Sequence, residues 1–188
     1  AQLLTVSAVR DDNGTIKNYI AIFSDISETK EQQYRLEQMA HYDVLTNLPN
    51  RTLLAERLDS ALTQCKTNKN YAAVVMLDLD GFKNINDSFG HSVGDELLIT
   101  LAHRLKNKLN AGDTVSRFGG DEFVAVLTNL KQAQDFVPIV KSMLEAASTP
   151  VKYGENELKV SASIGVTVYP NDDTDAEQLI RHADQAMY

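Results

Sequence analysis

The chain is poor in cysteine, in positive charge and in long apolar runs, and each shortage removes a class of protein. One cysteine, Cys65, stands among 188 residues, so neither an internal disulfide nor a cysteine-rich metal site can form. Lys and Arg number 18 against 26 Asp and Glu, a formal net charge of −8. Non-specific nucleic-acid binding rests on clustered cations, so no nucleic-acid partner is expected. No run of about 18 apolar residues is present, and no membrane contact by this segment is expected. The start AQLLTVSAVRDDNG is no signal peptide. The chain begins without Met and stops at RHADQAMY. It reads as a piece of a longer, cytoplasmic protein, with any membrane anchor of the parent outside this segment. What is present is ordinary for a globular chain: 43% hydrophobic and 23% charged residues, enough for one domain and an appendage.

Two β-like runs, 3–9 and 18–24, flank RDDNGTIK, and Asn13-Gly14 between them is the strongest short hairpin signal. Two strands cannot bury a core, so residues 1–27 are expected to end a domain that begins elsewhere. Residues 28–40 are polar and helix-favouring, with Ser27 or Asp25 as cap and a thin stripe of Leu36, Met39 and Ala40. They read as a connecting helix. From about Asp43 helices and strands intermix. DVLTNLPNR is a turn in which Asn50 and Arg51 set the shape, and an amphipathic helix runs from about Arg51 to Lys66. YAAVVMLDLD is an apolar run suited to a central strand covered on both faces. A short helix, a glycine-rich break and a long helix precede the hairpin SRFGGDEFVAVL, joined through Gly119-Gly120. A helix around 131–147, a strand pair around 150–169 turning at Gly154, and a last helix opened by Thr174 and Glu177 complete the chain. Hairpins mixed with crossover helices predict an α/β chain of the α+β kind, a mixed sheet with helices packed on it.

Asp78 ends an apolar strand, where burying an unpaired carboxylate is expensive. It either meets solvent at the strand's open end or is compensated by a cation. Asp80 shares its face in an extended chain. Asp121 and Glu122, at a second strand's tip, extend this to a carboxylate cluster drawn from two strands. Mg²⁺ takes such donors, with phosphate oxygens completing the octahedron.

RFGGDEF, preceded by LDLDGFKNINDSFGHSVGDE and by DVLTNLPNR, resembles the GGDEF-family diguanylate cyclase domain over residues 41–188, with the motifs in order and at the usual spacing. The resemblance implies a mainly antiparallel, palm-like central sheet, related to that of nucleotide cyclases and flanked by helices. It implies condensation of two GTP into cyclic di-GMP by a homodimer, one GTP per protomer. Mg²⁺, with Mn²⁺ as the alternative, would sit on Asp78, Asp121 and the Leu79 carbonyl. Gly119 and Gly120 would admit the phosphates, as a side chain there would not. Asp121 would also help deprotonate the attacking 3′-hydroxyl, and Lys83 would stand near the phosphates. Asn86 and Asp95 would read guanine, Phe82 and His91 would contact substrate, and Glu122 would serve the metal, the ribose or a supporting role. Each has a blander reading on its own: Lys83 as a solvated helix residue, Asn86 as helix-end decoration, His91 as a surface histidine. His41, His103, His182 and Cys65 receive no role.

The chain departs from the pattern twice. Many family members carry an inhibitory product site, Arg-x-x-Asp, ending five residues before the signature. Here those positions read NAGD, so Asp113 is kept and Asn110 replaces the Arg. Without the guanidinium fork for phosphate and guanine, weak or absent product inhibition is expected. The family also continues past ADQAMY to a phosphate-contacting Lys. Asp184 and Tyr188 fit, but the chain stops there, so weaker GTP binding than in the parent is expected. The N-terminal hairpin with FSDISETKEQ resembles the end of a PAS sensor domain leading into a signalling helix. The leading expectation is a diguanylate cyclase. The runner-up is a GTP-binding regulatory module for a linked phosphodiesterase domain, and the third is a dimerisation domain without turnover. Retention of Asp78, Lys83, Asn86, Asp95 and both signature acids favours the first.

Overall fold

The computed structural model describes residues 1–10, 12–14 and 16–187, and the chain divides into two units after Ala40. The first unit pairs β1 (Gln2–Arg10) with β2 (Ile16–Asp25) in antiparallel register. Gly14 supplies the left-handed φ of 81° that the predicted turn needs. Asp11 and Thr15, also in the predicted connection, lie outside the described residues. Opposed partners put Leu4, Val6, Tyr19, Ala21 and Phe23 on one face, and Tyr19 and Phe23 remain 68% and 69% exposed. That is the coreless hairpin two strands dictate. Helix α1 (Ser27–His41) follows. The Asp25 carboxylate accepts the Ser27 backbone N–H at 2.9 Å, so of the two cap candidates Asp25 does the accepting.

The second unit runs α2 (Arg51–Asn68), β3 (Tyr71–Asp80), α3 (Phe82–Phe89), α4 (His91–Lys106), β4 (Thr114–Gly119), β5 (Glu122–Leu130), α5 (Phe136–Ser148), β6 (Val151–Tyr153), β7 (Asn156–Leu158), β8 (Ser161–Tyr169) and α6 (Ala176–Gln185). Its main sheet has the order β4-β5-β3-β8 with antiparallel neighbours, the helix-flanked antiparallel sheet that the sequence implies. The apolar run of β3 is explained by burial on both sides. Ala73, Val75, Leu77 and Leu79 join one core with Leu97, Leu101 and Met143. Ala72, Val74 and Met76 join the other with Leu54, Leu58, Leu179 and Ala183.

Three boundaries differ from the sequence reading. The region 150–169 holds three strands, because β6 and β7 form their own small hairpin at Gly154 before β8 enters the main sheet. Helix α5 starts at Phe136, not 131: the Asp135 carboxylate accepts the N–H groups of Lys131 and Gln132 at 3.0 and 2.9 Å and holds that stretch as a turn. Helix α6 is capped by Asp175, whose side chain accepts the Gln178 N–H at 2.9 Å, in place of the Thr174–Glu177 box. Gly165 of β8 fixes how deep α6 lies, since a Cβ there would overlap the Ala183 carbonyl oxygen.

Candidate functional site

The site starts where β3 runs out. Alternation along β3 puts Asp78 on the face that Met76 shares with α2 and α6, and Glu122 of β5 stands directly opposite it. The hairpin turns through Gly120 and Asp121, with Gly119 still paired to Glu122 and Gly120 at φ +47°. Burial pushes the Asp78 carboxyl up, and the charges of Asp121, Asp80 and Asp184 push it further against one lowering hydrogen bond at Leu79. The Glu122 carboxyl is raised by burial and then by Asp78, Asp184 and Asp121. The strand end therefore gathers mutually repelling carboxylates. Asp80 contributes charge but its oxygens are engaged, accepting the hydroxyls of Ser161 at 2.8 Å and Ser163 at 3.0 Å. Among the described residues no three acid, His or Cys side chains form a ready-made metal cage.

Asp184 joins this group from α6, which sequence reading noted only as fitting a family pattern. No local signal could place it, because its proximity depends on how α6 seats on β8 at Gly165. A cleft of about 310 Å³ opens beside it, lined by Arg51, Phe118, Glu122, Arg181 and Asp184 among others.

The hairpin tip is clamped by Arg117, which the sequence shows only as a strand residue. Its Nε and Nη2 donate to the Gly120 carbonyl oxygen at 2.9 and 2.7 Å. Its Nη1 reaches both oxygens of Asp43 at 3.2 and 3.3 Å, and its backbone N–H donates to the Pro49 carbonyl at 3.1 Å. Asp43 also accepts the N–H and hydroxyl of Thr46 at 2.8 and 2.7 Å. Burial pushes the Asp43 carboxyl up, but these Thr46 and Arg117 hydrogen bonds outweigh it and hold the carboxyl below its usual value. Arg51 lies 4.7 Å over the Phe118 ring, and the Asn50 side chain caps α2 through the N–H groups of Thr52 and Leu53. The DVLTNLPNR turn is thus fastened directly to the glycine hairpin.

Helix α3 leaves β3 through Gly81 and meets α4 at Gly90, whose N–H donates to the Asn86 carbonyl at 2.8 Å. Phe82 and Asn86 are half-buried in this corner, while His91 and Asp95 are exposed on α4. Lys83 is exposed on the first turn of α3 and forms no ion pair among the described residues. The structure so brings Asp78, Asp121 and Glu122 together and places Phe82, Asn86 and Asp95 around the following helix corner.

Asn110 and Asp113 sit elsewhere. Asp113 is consumed by its own loop, its two oxygens accepting the backbone N–H groups of Asn110 at 2.9 Å and Thr128 at 2.8 Å. A cleft of about 440 Å³, larger than the one beside the acids, adjoins this loop and is lined by Arg57, Lys106, Asn110 and Asp113 among others. Among the described residues no helix is long and apolar enough to cross a membrane.

Residues 40–188 match the family described as diguanylate cyclase, GGDEF domain. A bifunctional diguanylate cyclase/cyclic di-GMP phosphodiesterase, MucR of Pseudomonas aeruginosa, is 42% identical over 153 residues, covering 81% of this chain and 22% of its own length. The cyclic di-GMP phosphodiesterase NbdA of the same organism is 40% identical over 81% of this chain and 19% of its own. The chain thus spans about a fifth of either relative's length. A crystal structure of a sensory box/GGDEF family protein from Caulobacter crescentus superposes with a TM-score of 0.73 at 37% identity, over 79% of this chain and 96% of that one. With its signature residues on the tip between β4 and β5, the chain belongs to the GGDEF diguanylate cyclase domain family.

Proposed function

We propose that this chain is a diguanylate cyclase that condenses two GTP into cyclic di-GMP and two pyrophosphates, dependent on Mg²⁺ or on Mn²⁺ in its place, as a homodimer. The observation that carries the reading is the gathering of Asp78, Asp121 and Glu122 at the end of β3, the strand that leads through Gly81 into the helix that bears Asn86. The donors suit the ion: hard carboxylate oxygens of Asp78 and Asp121 with the Leu79 carbonyl, and a repulsion that a dication relieves. When bound, the ion neutralises phosphate charge, the main demand of phosphoryl transfer.

The remaining work falls to the chain's own residues. Asp95 accepts the N1–H and N2–H groups of guanine and Asn86 takes the adjoining edge, with Phe82 and His91 against the nucleotide. Gly119 and Gly120 leave bare backbone for the phosphates, and Lys83 offers a cation near them. Asp121 orients the attacking 3′-hydroxyl and helps remove its proton, and Glu122 braces that end of the site. In each of the two condensations the 3′-oxygen bonds to an α-phosphorus, the bond to the bridging oxygen breaks, and pyrophosphate leaves. One GTP per protomer requires two protomers face to face.

Residues 1–27 are read as the closing hairpin of a PAS-like sensor, 28–40 as the signalling helix and 41–188 as the catalytic domain of a cytoplasmic segment. The loop of Asn110 and Asp113 is read as a spent inhibitory site, supported by the engagement of both Asp113 oxygens. A second reading, a silent GTP-binding domain that controls a linked phosphodiesterase, draws on the phosphodiesterase activity in the relatives' names. Turnover of α-labelled GTP with Mg²⁺ decides between them, in a chain carried past Tyr188 and beside Asp121→Ala. Cyclic di-GMP from the wild type alone is expected. GTP binding without any cyclic dinucleotide would transfer the assignment to the regulatory reading.

A further inference from the structure

Helix α4 contains a glycine, Gly94, on its first turns and buried. Glycine inside a helix is less favourable than alanine by about 1 kcal/mol, so a buried one there calls for a reason. The reason lies across the α3–α4 corner. A Cβ on Gly94 would overlap Asn86 Oδ1, stand 3.0 Å from Asn86 Cγ and come within 3.2 Å of the tip of the Phe82 ring. The missing side chain is a notch, and the Asn86 amide and Phe82 ring occupy it. Asn86 Oδ1 is sealed from solvent there with no hydrogen-bond partner among the described residues. A stranded polar atom is unfavourable, which is hard to reconcile with a merely structural choice of Asn at this position.

We propose that Gly94 is a positioning residue for nucleobase selection: its missing side chain seats the Asn86 amide against α4, one residue before Asp95, and any Cβ displaces it from the purine edge. The proposal rests on the base-reading role given to Asn86 above. Gly94 touches no ligand itself and acts through Asn86. Helix α4 carries Asp95 on the residue after Gly94, so the notch and the second base reader move as one body, and only the α3 partner is displaced by substitution.

Equilibrium binding of GTP and ATP to the chain, in wild type, Asn86→Ala, Gly94→Ala and the double variant, tests this. Gly94→Ala should weaken GTP about ten-fold, the worth of one lost base hydrogen bond, and leave ATP unchanged. In the Asn86→Ala background, where the overlapping amide is gone, the same substitution should change GTP affinity less than about two-fold. Thermal melts accompany each variant. If Gly94→Ala fails to fold, Asn86→Ala should restore folding, and failure to do so overturns the proposal. Equal weakening of GTP and ATP, or effects of the two substitutions that simply add, also overturns it. Loss of GTP preference in Asn86→Ala with none in a folded Gly94→Ala sinks the inference alone. Unchanged GTP preference in Asn86→Ala sinks the base-reading assignment on which it stands.

Discussion

Asp43 and Asp78 are both half-buried aspartates of the same domain, and their surroundings drive them in opposite directions. Asp43 is met by the N–H and hydroxyl of Thr46 and by the Arg117 guanidinium, and its carboxyl is held down. Asp78 is held up by burial first and then by the charges of Asp121, Asp80 and Asp184. Asp80 and Asp113 side with Asp43, since hydroxyls or backbone N–H groups occupy their oxygens. An acid saturated by donors from its own chain holds the fold together. An acid surrounded by other acids is left open to a charge from outside.

The sharpest way to break this contrast is at the strand end. Asp121→Ala should lower GTP turnover at least about 10³-fold, measured as cyclic di-GMP formed per enzyme, with the melting temperature nearly unchanged. Asp78→Asn should abolish turnover equally. In metal-free buffer it should leave the protein as stable as wild type or stabilise it by up to about 1 kcal/mol, because like charges are removed. A marked destabilisation in that buffer would show that Asp78 is structural after all.

On the other side of the comparison, Asp43→Ala should destabilise by about 2–3 kcal/mol through loss of a partly buried ion pair and two hydrogen bonds, as read from denaturant midpoints. Arg117→Lys should lower turnover more than stability, since an ammonium cannot hold Gly120 and Asp43 together with one planar fork. The acid limb follows with a definite sign. The folded Asp43 carboxyl titrates below its unfolded value of about 3.9, so its contribution is complete above that pH and vanishes as pH falls through the folded value. Melting curves of wild type and Asp43→Asn should converge there.

A smaller effect is expected at the loop of Asn110. Asp113→Ala should remove two backbone hydrogen bonds and about 1–2 kcal/mol, and calorimetry on the wild type should find no submicromolar cyclic di-GMP binding for the variant to lose. Such binding, abolished by Asp113→Ala, would restore the inhibitory site. The smallest is in the loop before α6, where Asp172 accepts the Thr167 hydroxyl at 2.9 Å and pairs with His182 of α6 at 2.6 Å. The His182 hydrogen bond chiefly lowers the Asp172 carboxyl. The pair is half-exposed, so Asp172→Asn should shift stability by less than about 1 kcal/mol near neutral pH, read from denaturant midpoints.

How much of this the sequence could carry depended on how local each cause is. The β3 strand, the Asn13-Gly14 turn and the glycine hairpin were legible because an apolar run and turn glycines act within a few residues. The pairing of Asp78 with Glu122 was foreshadowed by two strand ends rich in acid. The cap of α6 was misplaced because Thr174 and Asp175 are neighbours with similar capping chemistry, and only hydrogen-bond geometry separates them. Asp184, Arg117 and the Gly94 notch were illegible, since each takes its meaning from a partner brought close by the sheet or by a helix corner.

The Arg117 clamp has a further consequence, for the order in which the domain is completed. Arg117 and Asp43 are 74 positions apart in the chain, and closing a loop of that length is entropically unfavourable until intervening strands have aligned. The hairpin tip is therefore fastened late, by the opening residues of its own domain. A chain that begins after Asp43 would retain both cores and the Arg117 bonds to Gly120, but its guanidinium would lose the carboxylate that holds it in place. The set of the glycine hairpin thus depends on a turn remote from it in sequence.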